Sequence, residues 1–226
     1  SILLRPKFAL MNPELTFSLP AYQTACGVAD MMAHIMERYF TREPDVGFGD
    51  HMCEAALRSI IQEAPKAIAE PENYGPRANI MWAGTFAHND ILGVGRSEDW
   101  ASHNIEHQLS ALYDIAHGAG LAIVFPAWMK YVYKQDVNRF VQFAVRVFNV
   151  EQDFHNPERT VLEGIRRLED FFHRIGLPTT LTEAGIAPDR LAEMADMATA
   201  GDTVTLGSFM PLAKEDVLAI YELSKG

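Results

Sequence analysis

Ala21-Tyr22-Gln23-Thr24-Ala25-Cys26-Gly27-Val28-Ala29-Asp30-Met31-Met32-Ala33-His34-Ile35-Met36-Glu37-Arg38-Tyr39 decides the fold class. The run holds no proline and one glycine, and its apolar residues recur three and four apart, the repeat of an amphipathic helix. The same pattern continues outward. Helices are expected over about Asp50–Ala69, where Pro65 is a possible kink, then Arg77–Ile91, a helix opened by Ser97 as N-cap and ending near Tyr113, His117–Tyr133, and Val137–Phe148. Three more follow: one from Asn156-Pro157 carrying Val161, Ile165, Leu168, Phe172 and Ile175 on one face, one opened by Pro188, and a last over Lys214–Leu223. Upstream, Phe8-Ala9-Leu10-Met11 reads as an extended strand followed by a turn at Asn12-Pro13. The expected fold class is therefore all-α, with a short extended lead-in over 1–20 and a helical domain over 21–226.

Composition narrows the function. With 19 Lys and Arg against 30 Asp and Glu, the net charge is −11. An acidic chain with no basic run is poorly suited to nucleic acid, which is held by clustered cations, and has no basic amphipathic face for a membrane surface. No window reaches the roughly 18 consecutive apolar residues of a spanning helix. Ser1–Lys7 shows no charged segment leading into a long apolar one, as a secretory signal would. Cys26 and Cys53 form no metal or redox spacing and read as buried thiols, in keeping with a cytoplasmic protein.

Asp30 and His34 stand at i, i+4, one helical turn apart on one face. His103 and His107 repeat that spacing, and His117 follows Tyr113-Asp114-Ile115-Ala116 beside Gly118, where a turn can fold it back towards His103. Three of the eight histidines thus fall within fifteen residues. A carboxylate with several imidazoles suits Fe²⁺ or Zn²⁺ and is too rich in nitrogen for Ca²⁺ or Mg²⁺. Spacing alone leaves metal binding and ordinary helix-face pairs both open. His51, His88, His155 and His173 have no partner at useful spacing and read as surface or satisfied histidines. Trp82, Trp100 and Trp128 read as packing residues.

The surrounding residues are more specific. Gln23 to Asp30 with Ala33-His34 and Glu37, then Gly93-Val94-Gly95-Arg96 with Asp99 to His107, and Leu109 to Gly118 with Leu121 to Val124 and Pro126, resemble the iron-containing (group III) alcohol dehydrogenases. The likeness is to the butanol dehydrogenase branch, which includes aldehyde reductases, and it runs from Asn12 to Val217. The usual residue at Cys26 in that branch is Asn or a similar small one. The resemblance implies that Asp30, His34, His103 and His117 hold the metal. It places His107 beside the nicotinamide and substrate, for proton relay or positioning. It also implies NAD(P)H as hydride carrier, a small alcohol or aldehyde as substrate, and a homodimer. No GxGxxG or Gly-rich phosphate loop occurs. The family's N-terminal nucleotide-binding domain therefore has no counterpart here, and residues 1–20 read as its tail.

Two other classes stay in view. A helical metal-dependent phosphohydrolase would need a His-Asp dipeptide, and His88-Asn89-Asp90 is the nearest approach. A non-catalytic metal-binding domain needs nothing further.

Overall fold

The computed structural model describes residues 6–226. Among them lie nine α-helices: α1 (Ala21–Tyr39), α2 (Gly47–Ala69), α3 (Tyr74–His88), α4 (Ala101–Tyr113), α5 (His117–Val132), α6 (Val137–Phe148), α7 (Pro157–Arg174), α8 (Leu191–Ala198) and α9 (Lys214–Leu223). The all-α class holds. No strand occurs among the described residues, and Leu206 and Leu212 form an isolated bridge.

α5 is apolar all round, as befits a helix enclosed on every side. Gly118 through Met129 are all buried. α1, α4, α7 and α9 pack around it. At its centre Phe125 and Trp128 meet Phe40 and Phe140, the latter two stacked with ring centroids 4.5 Å apart. α1 buries Ala25, Val28, Ala29, Met32, Ile35 and Met36 and leaves Asp30 and His34 half-buried along one edge. α2 passes through Pro65 without ending, because Ile60, Ala64 and Ala67 anchor its apolar face on both sides of the proline.

Four expectations change, the first being α3, which runs three residues earlier at both ends than the expected Arg77–Ile91. Phe8–Met11 forms no strand: Phe8 and Leu10 are exposed, and a strand needs a neighbour for its N–H and C=O groups. A 3₁₀ turn follows at Pro13–Thr16, with Asn12 Oδ1 accepting from Glu14 N. Residues 1–5 of the lead-in lie outside the described residues. Ser97 does not cap α4. Its hydroxyl donates to Glu43 at 2.6 Å, and the helix begins four residues later, at Ala101. The helix expected from Pro188 starts at Leu191.

A buried polar cluster ties α1, α2 and α6 together. Asp50, in the first turn of α2, accepts from both terminal nitrogens of Arg139. Its Oδ1 also accepts from Arg96 at 3.1 Å and its Oδ2 from Gln142 at 2.9 Å. Arg139 reaches on to the Tyr39 carbonyl, and Glu54 takes the Tyr39 hydroxyl at 3.0 Å. Each oxygen of Asp50 thus has two donors. Burial pushes the Asp50 carboxyl up, but the Arg139 and Gln142 hydrogen bonds with the Arg139 and Arg96 charges hold it below the usual carboxylate range.

Candidate metal centre

Four helices bring their ends or edges together around Asp30. From α1, His34 Nε2 lies 3.7 Å from Asp30 Oδ1. From α4, His103 Nε2 lies 3.9 Å from the same oxygen, and from the first residue of α5, His117 Nε2 lies at 3.5 Å. From the last residue of α3, His88 Nε2 lies 3.2 Å from Asp30 Oδ2. Among the described residues, donor atoms within 4.8 Å of one another form three groups: Asp30 with His34 and His88, Asp30 with His103 and His117, and Glu106 with His107 and His117.

Two fully buried carboxylates stand behind the histidines. Glu37 Oε1 accepts from His103 Nδ1 at 2.9 Å, and its two oxygens also take the backbone N–H groups of Trp100 (2.8 Å) and His103 (3.2 Å). Glu37 is thus the cap that Ser97 was expected to be, reaching the start of α4 from another helix. Asp99 assists, accepting from Ala101 N at 3.2 Å. Burial pushes Glu37 up to about 8 despite these donors and the Arg38 charge. Glu106 accepts from His117 Nδ1 and from the Ser110 hydroxyl.

Glycines make room for this arrangement. A Cβ on Gly120 would lie 2.1 Å from Glu106 Oε1, and one on Gly118 would lie 1.9 Å from the Cys26 carbonyl oxygen. The start of α5, and His117 with it, packs closely on α1 at Gly118 and on α4 at Gly120 only because both positions lack a side chain.

Trp100 holds the other wall. Its backbone is left-handed, with φ at 63°, which is uncommon for a bulky residue and persists only where surroundings fix it. Here its N–H goes to Glu37, its indole N–H to Glu98 at 2.7 Å, and its ring packs between the Arg38 guanidinium and the rings of His34 and His103.

The chemistry of the donors fits a divalent cation. Burial pushes both His34 and His103 down to about 4, so each is a neutral imidazole at neutral pH. With Nδ1 of His103 donating to Glu37, its Nε2 carries a lone pair. That nitrogen is buried, faces Asp30, and has no hydrogen-bond partner. Burial favours the neutral Asp30 carboxyl, yet the His88 hydrogen bond and the surrounding histidines hold it below its ordinary value. An acceptor nitrogen opposite a carboxylate oxygen is matched by a cation between them.

His34, His103 and His117 therefore come together around one oxygen of Asp30. His107 stands apart from Asp30: it is exposed, and its ring centroid lies 5.3 Å from that of His117. His88 corrects the reading of it as a histidine without a functional partner. Its contact with Asp30 spans 58 residues, and no local spacing announces it. The roles of Glu37 and Glu106 also went unassigned, although each lies within four residues of a site histidine.

Comparison with known proteins identifies the family. The model of the Fe-containing alcohol dehydrogenase family, C-terminal, matches residues 24–224. NADH-dependent butanol dehydrogenase A of Clostridium acetobutylicum is 39% identical over 222 residues, covering 98% of this chain and 57% of that protein. Among solved structures, NADH-dependent butanol dehydrogenase A from Thermotoga maritima superimposes with a TM-score of 0.92 at 39% identity, over 100% of this chain and 58% of that one. The substrate- and cofactor-free aldehyde reductase YqhD of Escherichia coli gives 0.93 at 32% identity, over 98% and 58%. The chain spans a little over half the length of the curated relatives it matches. By this match and by the helical scaffold it shares with them, the chain belongs to the Fe-containing alcohol dehydrogenase family and corresponds to the family's C-terminal part.

Proposed function

We propose that this chain is the metal-bearing portion of an NAD(P)H-linked alcohol dehydrogenase or aldehyde reductase acting on a small primary alcohol such as butanol and its aldehyde. Asp30, His34, His103 and His117 are the protein ligands of a divalent cation, Fe²⁺ or Zn²⁺. The observation that carries this reading is the buried, unpartnered His103 Nε2 aimed at Asp30, with Nδ1 secured by Glu37. When bound, the cation supplies Lewis-acid polarisation of an alcohol or carbonyl oxygen, and the nicotinamide carries the hydride.

The residues of the chain do the rest. Glu37 and Glu106 hold His103 and His117 by Nδ1, fixing ring orientation and tautomer. Trp100 and the buried side chains behind it keep water from the inner wall. His107 stands at the open side, where its imidazole takes up or hands on the proton exchanged with solvent. Nucleotide recognition belongs to the N-terminal domain of the relatives, outside the matched region, and the working assembly is a homodimer in the cytoplasm. Among the described residues no helix is long and apolar enough to cross a membrane.

The test is metal content together with NAD(P)H-dependent butanal reduction. Asp30→Asn and His103→Ala in the whole enzyme should lose both. His107→Ala should keep the metal and lose turnover, chiefly in kcat. Residues 1–226 alone should bind metal and turn over poorly, and robust butanal reduction by them would overturn the division of labour.

A further inference from the structure

We propose that His88 supplies an additional imidazole ligand to the cation held at Asp30. The inference rests on the metal-site reading above and extends it to a residue that the family pattern does not assign.

The wiring of His88 is that of a ligand. Its Nδ1 lies 2.8 Å from the Gly84 carbonyl oxygen, which can only accept, so Nδ1 carries the hydrogen. Without an ion, a hydrogen on Nε2 bridges to Asp30 Oδ2 at 3.2 Å; when a cation displaces that hydrogen, the same nitrogen presents its lone pair there. Two acceptors at that distance require a proton or a cation between them. His103 and His117 show the same arrangement, with Nδ1 held by a carboxylate and Nε2 directed at Asp30. Metal-binding histidines characteristically donate their second ring N–H to a carboxylate or a backbone carbonyl, and His88 meets that condition.

Position agrees. The His88 and His34 ring centroids are 4.1 Å apart, tilted by 42°, and donor atoms from both converge with Asp30 within 4.8 Å. Asp30 divides its two oxygens. Oδ1 faces His34, His103 and His117, and Oδ2 faces His88. Two imidazoles and one carboxylate on one side, Asp30 with His34 and His88, form the donor set preferred by Fe²⁺ and related ions. His88 is the last residue of α3, so coordination there would bind a fourth helix to the ion.

The experiment uses the purified enzyme loaded with one equivalent of Co²⁺, read by its visible spectrum and by chelator competition, in wild type, His88→Ala and Asp30→Asn. His88→Ala should still take one Co²⁺ per chain, with changed band positions and intensity and affinity reduced about 10-fold or more, while the melting temperature of the metal-free protein stays within a degree or two. An unchanged spectrum and affinity in His88→Ala would overturn the proposal. So would a drop in metal-free stability with an unchanged spectrum, which would make His88 the charged partner of Asp30. Full Co²⁺ affinity in Asp30→Asn would instead bring down the metal-site reading itself, so the two failures are told apart.

Discussion

Asp50 and Asp30 are both acidic residues on neighbouring helices, and their surroundings are opposites. Asp50 is met by donors: two guanidinium groups and an amide give each of its oxygens two partners. Asp30 is met by imidazole nitrogens, of which His103 Nε2 is buried with nothing to bond. In the first cluster opposite charges meet inside the fold and both oxygens of the carboxylate are saturated. The second is open, with acceptors converging on a carboxylate. Burial alone does not distinguish a structural network from a binding site, but the balance of donors and acceptors does.

The sharpest way to break the contrast is to remove one carboxylate at a time. Asp50→Ala should destabilise the fold by about 3–5 kcal/mol, since it strands Arg139 in a buried setting; denaturant unfolding would measure it. Asp30→Asn should cost the metal-free protein far less while abolishing metal binding, which calorimetric titration would show. Metal at 100 times its dissociation constant should stabilise the wild type by about 2.7 kcal/mol. That increment should vanish in Asp30→Asn and persist in Gln142→Ala, followed by thermal melts with and without the ion.

Glu37 belongs to both kinds of chemistry, capping a helix and orienting a histidine, so its replacement sharpens the comparison further. Glu37→Gln keeps an oxygen for the N–H groups but replaces the carboxyl partner of His103 Nδ1 with an amide. Metal affinity should fall by about 10- to 100-fold, with a stability loss within the roughly 0.5–2 kcal/mol of a lost cap. A variant with weakened stability and wild-type affinity would confine Glu37 to its capping role.

The smallest effect is on the acid limb of stability. The Asp50 carboxyl is held below its unfolded value of about 3.9. Its contribution is therefore full above that value and is lost as pH falls through the lower folded one, because the unfolded chain takes up the proton first. Asp50→Asn should flatten the fall in stability below about pH 4, while the profile near neutrality keeps its shape. Urea midpoints across that range would show it.

Much of this was legible beforehand where local signals suffice. α1, α6 and α9 fall at their expected bounds, because apolar spacing and the residues that break it lie close together in the chain. Helical spacing draws attention to Asp30, His34 and His103, and the family likeness adds His117 to them as a set. What stayed hidden was long-range. The start of α4 is set by Glu37, 63 residues away from Trp100, so the local cap signal at Ser97 points three residues early. His88 meets Asp30 only through the packing of α3 on α1. No local signal accounts for Gly118 and Gly120 at the start of α5; the closeness of Cys26 and Glu106 does. Phe8–Met11 carried an apolar strand pattern, but pattern alone provides no pairing edge.

The placement of Trp100 has a practical optical consequence. Of the three tryptophans, Trp82 is largely exposed and Trp128 lies in the core, whereas the Trp100 ring sits 5.2 Å from His34 and 5.0 Å from His103. An indole that close to the histidines is a built-in emission probe, and a paramagnetic or absorbing ion arriving between them would quench it. Occupancy of the centre can then be followed in real time without a label, and Trp100→Phe would darken the signal while leaving the other two emitters as an internal reference.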